Sequence, residues 1–159
     1  MIKILFICTG NICRSPMAEF LLKDMVQKQN IAAYFQIDSA ATSSEEIGNP
    51  VHYGTRRKLN ALGISTAGKY ARQITASDYK EYDYLIGMDE WNLRNMRRIF
   101  GSDPQHKICR LLDFTDAPRD IADPWYTGDF EKTYEDIMEG LESFLQKIAV
   151  SIKHNNNLS

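Results

Sequence analysis

The stretch "FICTGNICRSPMAEFLL" (Phe6–Leu22) changes character twice within a short span. It begins as an apolar run of strand type. It passes through a small polar loop carrying Cys8, Cys13 and Arg14, then sets Met17, Leu21 and, further on, Met25 on one helical face. A strand that turns directly into an amphipathic helix is the start of a βα unit, and the rest of the chain repeats that alternation. "KILFIC" (Lys3–Cys8) leads to a helix over about Pro16–Gln29, and "YFQIDSA" (Tyr34–Ala40) is the second strand. A helix over about Val51–Leu62 stops at Gly63, a residue type suited to a left-handed C-terminal position. "YDYLIGM" (Tyr82–Met88) is followed by the helix "DEWNLRNMRRIF" (Asp89–Phe100), then by a fourth strand "KICRLLDF" (Lys107–Phe114). After a long loop the last helix runs from about Phe130 to Ile152, with Ile137, Leu141, Phe144, Leu145 and Ile148 on its buried face.

Alternating strands and helices require right-handed crossovers, so the fold class is α/β. We expect a single domain with a four-stranded parallel sheet, Rossmann-like, and helices on both faces. The domain spans 1–152, followed by a flexible C-terminal tail over 153–159. In such folds ligands bind beyond the carboxyl ends of the strands, which is where the Cys8–Ser15 loop falls.

At 159 residues one domain has room for a full core, burying roughly 70% of the surface the unfolded chain exposes. Three cysteines, an odd number, and no apolar run near 18 residues argue against a disulfide framework or a membrane span. With no charged-then-apolar leader, the expected setting is reducing and cytoplasmic. A net charge of −2 gives no basic field, so nucleic acid is an unsuitable partner and any anion must be captured locally. The chain is expected to act as a monomer, with a weak dimer as the alternative.

The loop itself is suited to anion capture. The six backbone N–H groups from Thr9 to Arg14 lie between a strand end and a helix N-terminus. If the loop curls they converge on one point, reinforced by the helix dipole. Gly10 and Asn11 tolerate the positive φ of a tight curl, Ser15 suits the helix cap and Pro16 its first turn. Arg14 presents a planar fork matched to two phosphate oxygens. Cys8 sits at the base of this cradle, where the same donors favour thiolate over thiol. A lone cysteine at the end of a buried strand is more often a core residue. The combination C-x-x-x-x-x-R-S at a strand-to-helix turn reverses those odds. Neither G-x-x-x-x-G-K-[ST] nor G-x-G-x-x-G occurs.

"CTGNICRSPMAE" (Cys8–Glu19) resembles the phosphate-binding loop of the low-molecular-weight protein tyrosine phosphatases. The likeness extends in order through "DSA" (Asp38–Ala40), "GNP" (Gly48–Pro50), "ARQI" (Ala71–Ile74), "MDE" (Met88–Glu90) and "DPW" (Asp123–Trp125), covering nearly the whole chain. It implies a phosphatase acting on phosphotyrosine in proteins or peptides, and on small aryl phosphates, without a metal or other cofactor. Cys8 is then the nucleophile and forms a cysteinyl-phosphate, while Arg14 and the loop Thr9, Gly10, Asn11, Ile12, Cys13 and Ser15 bind phosphate. Asp123 is implied as the acid that protonates the leaving oxygen and then activates water. Its setting before Pro124 suits a stiffened loop, although Asp before Pro is also a common turn signal. Ser15 is implied as donor to the Cys8 sulfur, and Asn11 and Ser39 as supports that hold the loop's shape. Cys13 is implied as the thiol that traps an oxidised Cys8 as a disulfide; packing is the competing reading.

Trp125 and Tyr126 follow the acid and suit an aromatic wall for a phosphotyrosine ring. Where family members often carry a second aromatic, this chain has Ser44, Glu45 and Glu46, which favours substrates with nearby basic residues. A family histidine at the end of the second helix is replaced by Leu62, which calls part of the loop's hydrogen-bond support into question. His52, His106 and His154 have no ligand spacing and read as surface residues. Arsenate reductases that share the loop need two further redox cysteines, and only Cys109 is present. Relatives acting on phosphoarginine carry threonine at the position of Ile12. A non-enzymatic phosphate binder would not need Cys8, Arg14 and Asp123 together.

Overall fold

The computed structural model describes residues 1–157. Four strands, β1 (Ile2–Cys8), β2 (Phe35–Ala41), β3 (Tyr84–Gly87) and β4 (Ile108–Arg110), form one sheet in the order β2-β1-β3-β4. All three pairings are parallel; Cys8 lies opposite Ala41 and Ile7 opposite Gly87. Around the sheet lie α1 (Arg14–Lys28), α2 (Tyr53–Ala61), α3 (Asp78–Glu81), α4 (Glu90–Phe100), α5 (Pro124–Thr127) and α6 (Phe130–Asn157).

Period-two alternation along β1 divides the core. Ile4, Phe6 and Cys8 face a large cluster completed by α1 and α6, through Met17, Leu21, Leu22, Leu141 and Phe144. Leu5 and Ile7 face a second cluster with Leu93 and Met96 of α4. β1 is therefore covered on both faces, which is why it reads as an unbroken apolar run. With β2 on one side of β1 and β3 on the other, the chain leaves β1 at the sheet's switch point, where side chains at the strand ends are open to a ligand.

The expected fourth strand is too long. Leu111 and Leu112 are both fully buried, and consecutive residues of a strand point to opposite faces, so the chain leaves β4 after Arg110 and coils through a 3-10 turn at Leu111–Phe114. Leu111 reaches the backbone of α6 at Gly140, where an added Cβ would lie 2.5 Å from its Cγ. Gly63 ends the turn after α2 with φ 77°, as its place in the sequence suggests. The last helix continues past the expected end at Ile152 to Asn157, so Lys153–Asn157 are helical; Leu158 and Ser159 of the expected tail lie outside the described residues.

Candidate active site

The loop between β1 and α1 is held open by what its carbonyls do. Cys8 O accepts from Thr42 N at 3.0 Å, Thr9 O from Ser43 N at 3.1 Å and Ile12 O from His52 N at 2.8 Å. Cys13 O accepts from Thr55 Oγ1 at 3.1 Å and from Met17 N. With these carbonyls drawn outward, Asn11 N and Ser15 N point to Cys8 Sγ at 3.3 and 3.4 Å. Ser15 Oγ is 3.0 Å from the same sulfur. Such donors stabilise negative charge on sulfur.

One expectation about the loop is corrected and another narrowed. Ser15 is not the cap of α1: the N-cap is Cys13, without a side-chain cap bond, and Ser15 lies in the first turn. Of the two residues that tolerate positive φ, Asn11 adopts it (58°), as its type allows, and Gly10 does not. At Gly10 the constraint is proximity, since a Cβ there would sit 3.3 Å from Cγ of Glu46.

Asn11 is 1% exposed and is fully engaged. Its Nδ2 donates to Ser15 Oγ at 2.8 Å and to Ser39 Oγ at 2.9 Å, while its Oδ1 accepts from Arg72 N at 3.2 Å. Ser39 in turn donates to Glu19 Oε1 at 2.5 Å. Lys69 closes this layer through a hydrogen bond to Ser39 O at 2.8 Å and an ion pair with Glu19 at 3.5 Å. Burial presses the Lys69 pKa downward against the pull of Glu19. Lys69 and Glu19 support this layer through Ser39, while Leu62 is exposed.

Arg14 is 1% exposed and held from one side. Its NH1 group donates to Asp89 Oδ2 at 2.6 Å and to Ile121 O at 2.7 Å, and NH2 lies 3.5 Å from Asp123 Oδ2. Its Nε has no partner among the described residues, although it is buried. Burial opposes the guanidinium charge, but Cys8, Asp89 and Asp123 outweigh it and raise the Arg14 pKa. Asp89 also caps α4, accepting from Asn92 N at 2.8 Å, and Asn92 Nδ2 reaches Thr9 Oγ1 at 3.3 Å. The helix start that follows β3 thereby fixes both the arginine and the loop.

Asp123 is the N-cap of α5, its Oδ1 accepting from Trp125 N at 3.0 Å. Cys8, Thr9, Gly10, Ile12, Cys13, Arg14, Glu45, Glu46, Asp123, Trp125 and Tyr126 line one pocket of about 120 Å³, together with Ser43. Asn11, Ser15 and Ser39 lie outside this lining, in the supporting layer. Trp125 and Tyr126 are exposed at the rim, 56% and 85%. His52, expected at the surface, is instead half-buried: it stacks on Phe130 at 5.2 Å between ring centroids and meets Trp125 edge-on at 5.6 Å. Cys13 is buried, and that burial pushes its thiol up to about 12, with Cys8 adding to the shift. The sequence reading missed Ser43, Arg72, Lys69 and the anchoring role of Asp89. For Asp89 a signal existed, since Asp followed at N3 by Asn before an amphipathic run is an N-terminal cap pattern.

A cysteine beneath converging amides, a buried arginine and a carboxylate at the mouth of one pocket define a cysteine-based phosphate-loop site at a β1–α1 turn. Residues 3–157 match the family model for low molecular weight phosphotyrosine protein phosphatase. The chain is 41% identical over 150 residues to the low molecular weight protein-tyrosine-phosphatase YfkJ of Bacillus subtilis, covering 93% of this chain and 96% of that one. It is also 41% identical over 153 residues to the human low molecular weight phosphotyrosine protein phosphatase, covering 91% and 94%. The crystal structure of YfkJ superposes with a TM-score of 0.91 over 95% of this chain and 96% of that one, at 40% identity. That of a Drosophila arginine phosphatase gives 0.85 over 92% and 98%, at 32% identity. This chain belongs to the low molecular weight phosphotyrosine protein phosphatase family.

Proposed function

We propose that this protein hydrolyses phosphotyrosine in proteins and peptides, and small aryl phosphates, through a cysteinyl-phosphate. The observation that carries the reading is the convergence of Cys8, Arg14 and Asp123 on one pocket. Cys8 Sγ attacks phosphorus, an S–P bond forms as the P–O bond to the phenol breaks, and the proton of Asp123 passes to the departing oxygen. Arg14 and the loop amides hold the other phosphate oxygens. Arg14 Nε, buried without a partner among the described residues, and NH2 are the donors available for this, because NH1 is committed to Asp89 and Ile121. In the second step Asp123 takes a proton from water, which attacks phosphorus. The S–P bond breaks, and Ser15 Oγ, 3.0 Å from the sulfur, eases its departure.

The pocket walls favour an aryl ester. Trp125 and Tyr126 offer aromatic surface, and Ile12 is apolar and packed in a small cluster with Cys13 and Ala71. Phosphoarginine-acting relatives have a hydroxyl at that position. Glu45 and Glu46 on the facing wall favour peptides with basic residues beside the phosphotyrosine. Cys13 also lines the pocket and serves to condense with a sulfenic form of Cys8, giving a disulfide and water. The attacking Cys13 thiol must first lose its proton, which its burial opposes. The thiols of Cys8, Cys13 and Cys109 are all free, which supports a reducing compartment such as the cytoplasm. No helix among the described residues is long and apolar enough to cross a membrane.

The test is a panel of phosphotyrosyl peptides with varied flanking charge, plus phosphoarginine, assayed with wild type and Cys8→Ser. Wild type is expected to turn over phosphotyrosine, best beside basic residues. Cys8→Ser is expected to be inactive yet still to bind inorganic phosphate, because the amides and Arg14 remain. Substantial turnover by Cys8→Ser would remove it as nucleophile, and a preference for phosphoarginine would overturn the substrate.

A further inference from the structure

The hydrogen-bond pattern under the loop has a direction, and that direction is set outside the loop. Asn11 Nδ2 has two protons, given to Ser15 Oγ and Ser39 Oγ at 2.8 and 2.9 Å. Ser15 Oγ therefore accepts from Asn11, and its own proton is left for Cys8 Sγ at 3.0 Å, which is closer than Ala40 O at 3.5 Å. This arrangement holds only while the Asn11 amide keeps its oxygen toward Arg72 N, the donor that fixes which end is which.

The position of Arg72 N depends on a clamp. Arg72 O accepts from Ala41 N at 2.7 Å at the end of β2. The Arg72 guanidinium forks onto Asp78, NH1 to Oδ2 at 3.0 Å and NH2 to Oδ1 at 3.2 Å. The same carboxylate accepts from Thr75 N at 2.8 Å, so one buried acid ties down both ends of the 72–75 turn. We infer that Asp78, at the start of α3 and outside the pocket lining, is a positioning residue for the nucleophile. Through Arg72 and Asn11 it keeps the Ser15 hydroxyl donating to the Cys8 sulfur. The inference rests on the phosphatase reading for its kinetic consequence, though not for its chemical one.

The experiment measures alkylation of Cys8 by iodoacetate as a function of pH, located by fragment masses of the 4–14 peptide, which separate Cys8 from Cys13. Burial raises both Cys13 and Cys109 and so disfavours their thiolates, and the fragment masses report Cys8 separately from each. In Asp78→Asn the alkylation profile should move to higher pH, and kcat for an aryl phosphate should fall about tenfold with KM little changed, as expected for loss of one hydrogen bond to a charged sulfur. Arg72→Met keeps the backbone donor and the apolar stem but removes the fork, and should reproduce both effects if Asp78→Asn fails to fold. The matched control is Asp103→Asn. Asp103 likewise accepts three bonds, from Tyr79 OH, Lys107 N and Ile108 N, but has no link to Asn11. Asp103→Asn should lower the melting temperature without moving the alkylation profile. An unchanged profile in both Arg72→Met and Asp78→Asn, or the same shift in Asp103→Asn, overturns the inference. A shifted profile in a protein inactive on every phosphate ester would instead uphold the positioning role and sink the phosphatase reading.

Discussion

Asp123 uses its two carboxylate oxygens for different ends. Oδ1 caps α5 through Trp125 N, while Oδ2 hangs beside Arg14 at the pocket. The turn reading and the acid reading of "DPW" are thus compatible, and a substitution must separate them. Asp123→Asn retains a capping oxygen but has no proton to give. General acid catalysis is worth roughly 100- to 10,000-fold. Asp123→Asn should therefore slow a poor leaving group such as tyrosine phenolate by about that much, and a nitrophenolate, which departs unprotonated, far less. Single-turnover rates plotted against leaving-group pKa should be steeper for the variant. Parallel lines would hand the role to another carboxylate. Of the candidates, Asp89 is bound to Arg14, Asp120 to Arg110 and Glu90 N, and Asp129 to the start of α6, so each would have to leave an existing partner.

At the scale of elements, the start of α1 shows why the βα unit was legible and its cap was not. The strand, loop and helix follow from periodicity, but Ser15 N points to Cys8 Sγ, so the sulfur of Cys8 takes the place a capping oxygen would fill. No local propensity encodes that arrangement. In β4 the failure is different: Leu111 and Leu112 satisfy a strand pattern by composition, and only α6, pressed close at Gly140, requires both to point inward. That Cys8, Arg14, Asp123, Trp125 and Tyr126 belong together was readable as far as their shared pocket, because each is chemically distinctive within a short motif. Lys69 and Arg72 reach Ser39 and Asn11 across long sequence separations, and Asp78 touches the loop's support only through Arg72, so these links are visible only in three dimensions. Asp89 belongs to both groups, since it caps α4 and pairs with Arg14. Asp89→Asn keeps a good capping oxygen while removing the countercharge, so destabilisation of roughly 1–3 kcal/mol is expected from the arginine and not from the helix. Inorganic phosphate brings a countercharge to Arg14. Urea titrations should therefore show more stabilisation by phosphate in Asp89→Asn than in wild type. Equal gains would mean that Asp89 acts on Arg14 only by steric support.

Across the whole molecule, the fold retains protons that the unfolded chain would release at alkaline pH. Burial is the first cause in each case: it pushes Cys13 in the loop and Cys109 in β4 from 9.0 up to about 12, and Tyr82 in the second core cluster from 10.0 up to about 12. Tyr82 is further held by its hydrogen bond to Asp38 at 2.8 Å. Since each folded-state value is raised, the unfolded chain binds fewer protons than the fold above pH 9, and stability falls as pH rises. The contribution is fully present below about pH 9 for the thiols and pH 10 for the phenol, and is lost on the way to about 12. Cys13, at 4% exposure, should alone give a slope of about 1.4 kcal/mol per pH unit inside that window. Urea midpoints measured from pH 7 to 11 should be level at first and then decline. In Cys13→Ala the midpoint near neutrality is offset by the lost sulfur, but the decline above pH 9 should be shallower by one proton. The comparison of slopes is thus independent of the packing defect. A wild-type curve that stays level through pH 11, or a variant with an undiminished slope, would mean that the loop opens to water and lets Cys13 ionise without unfolding.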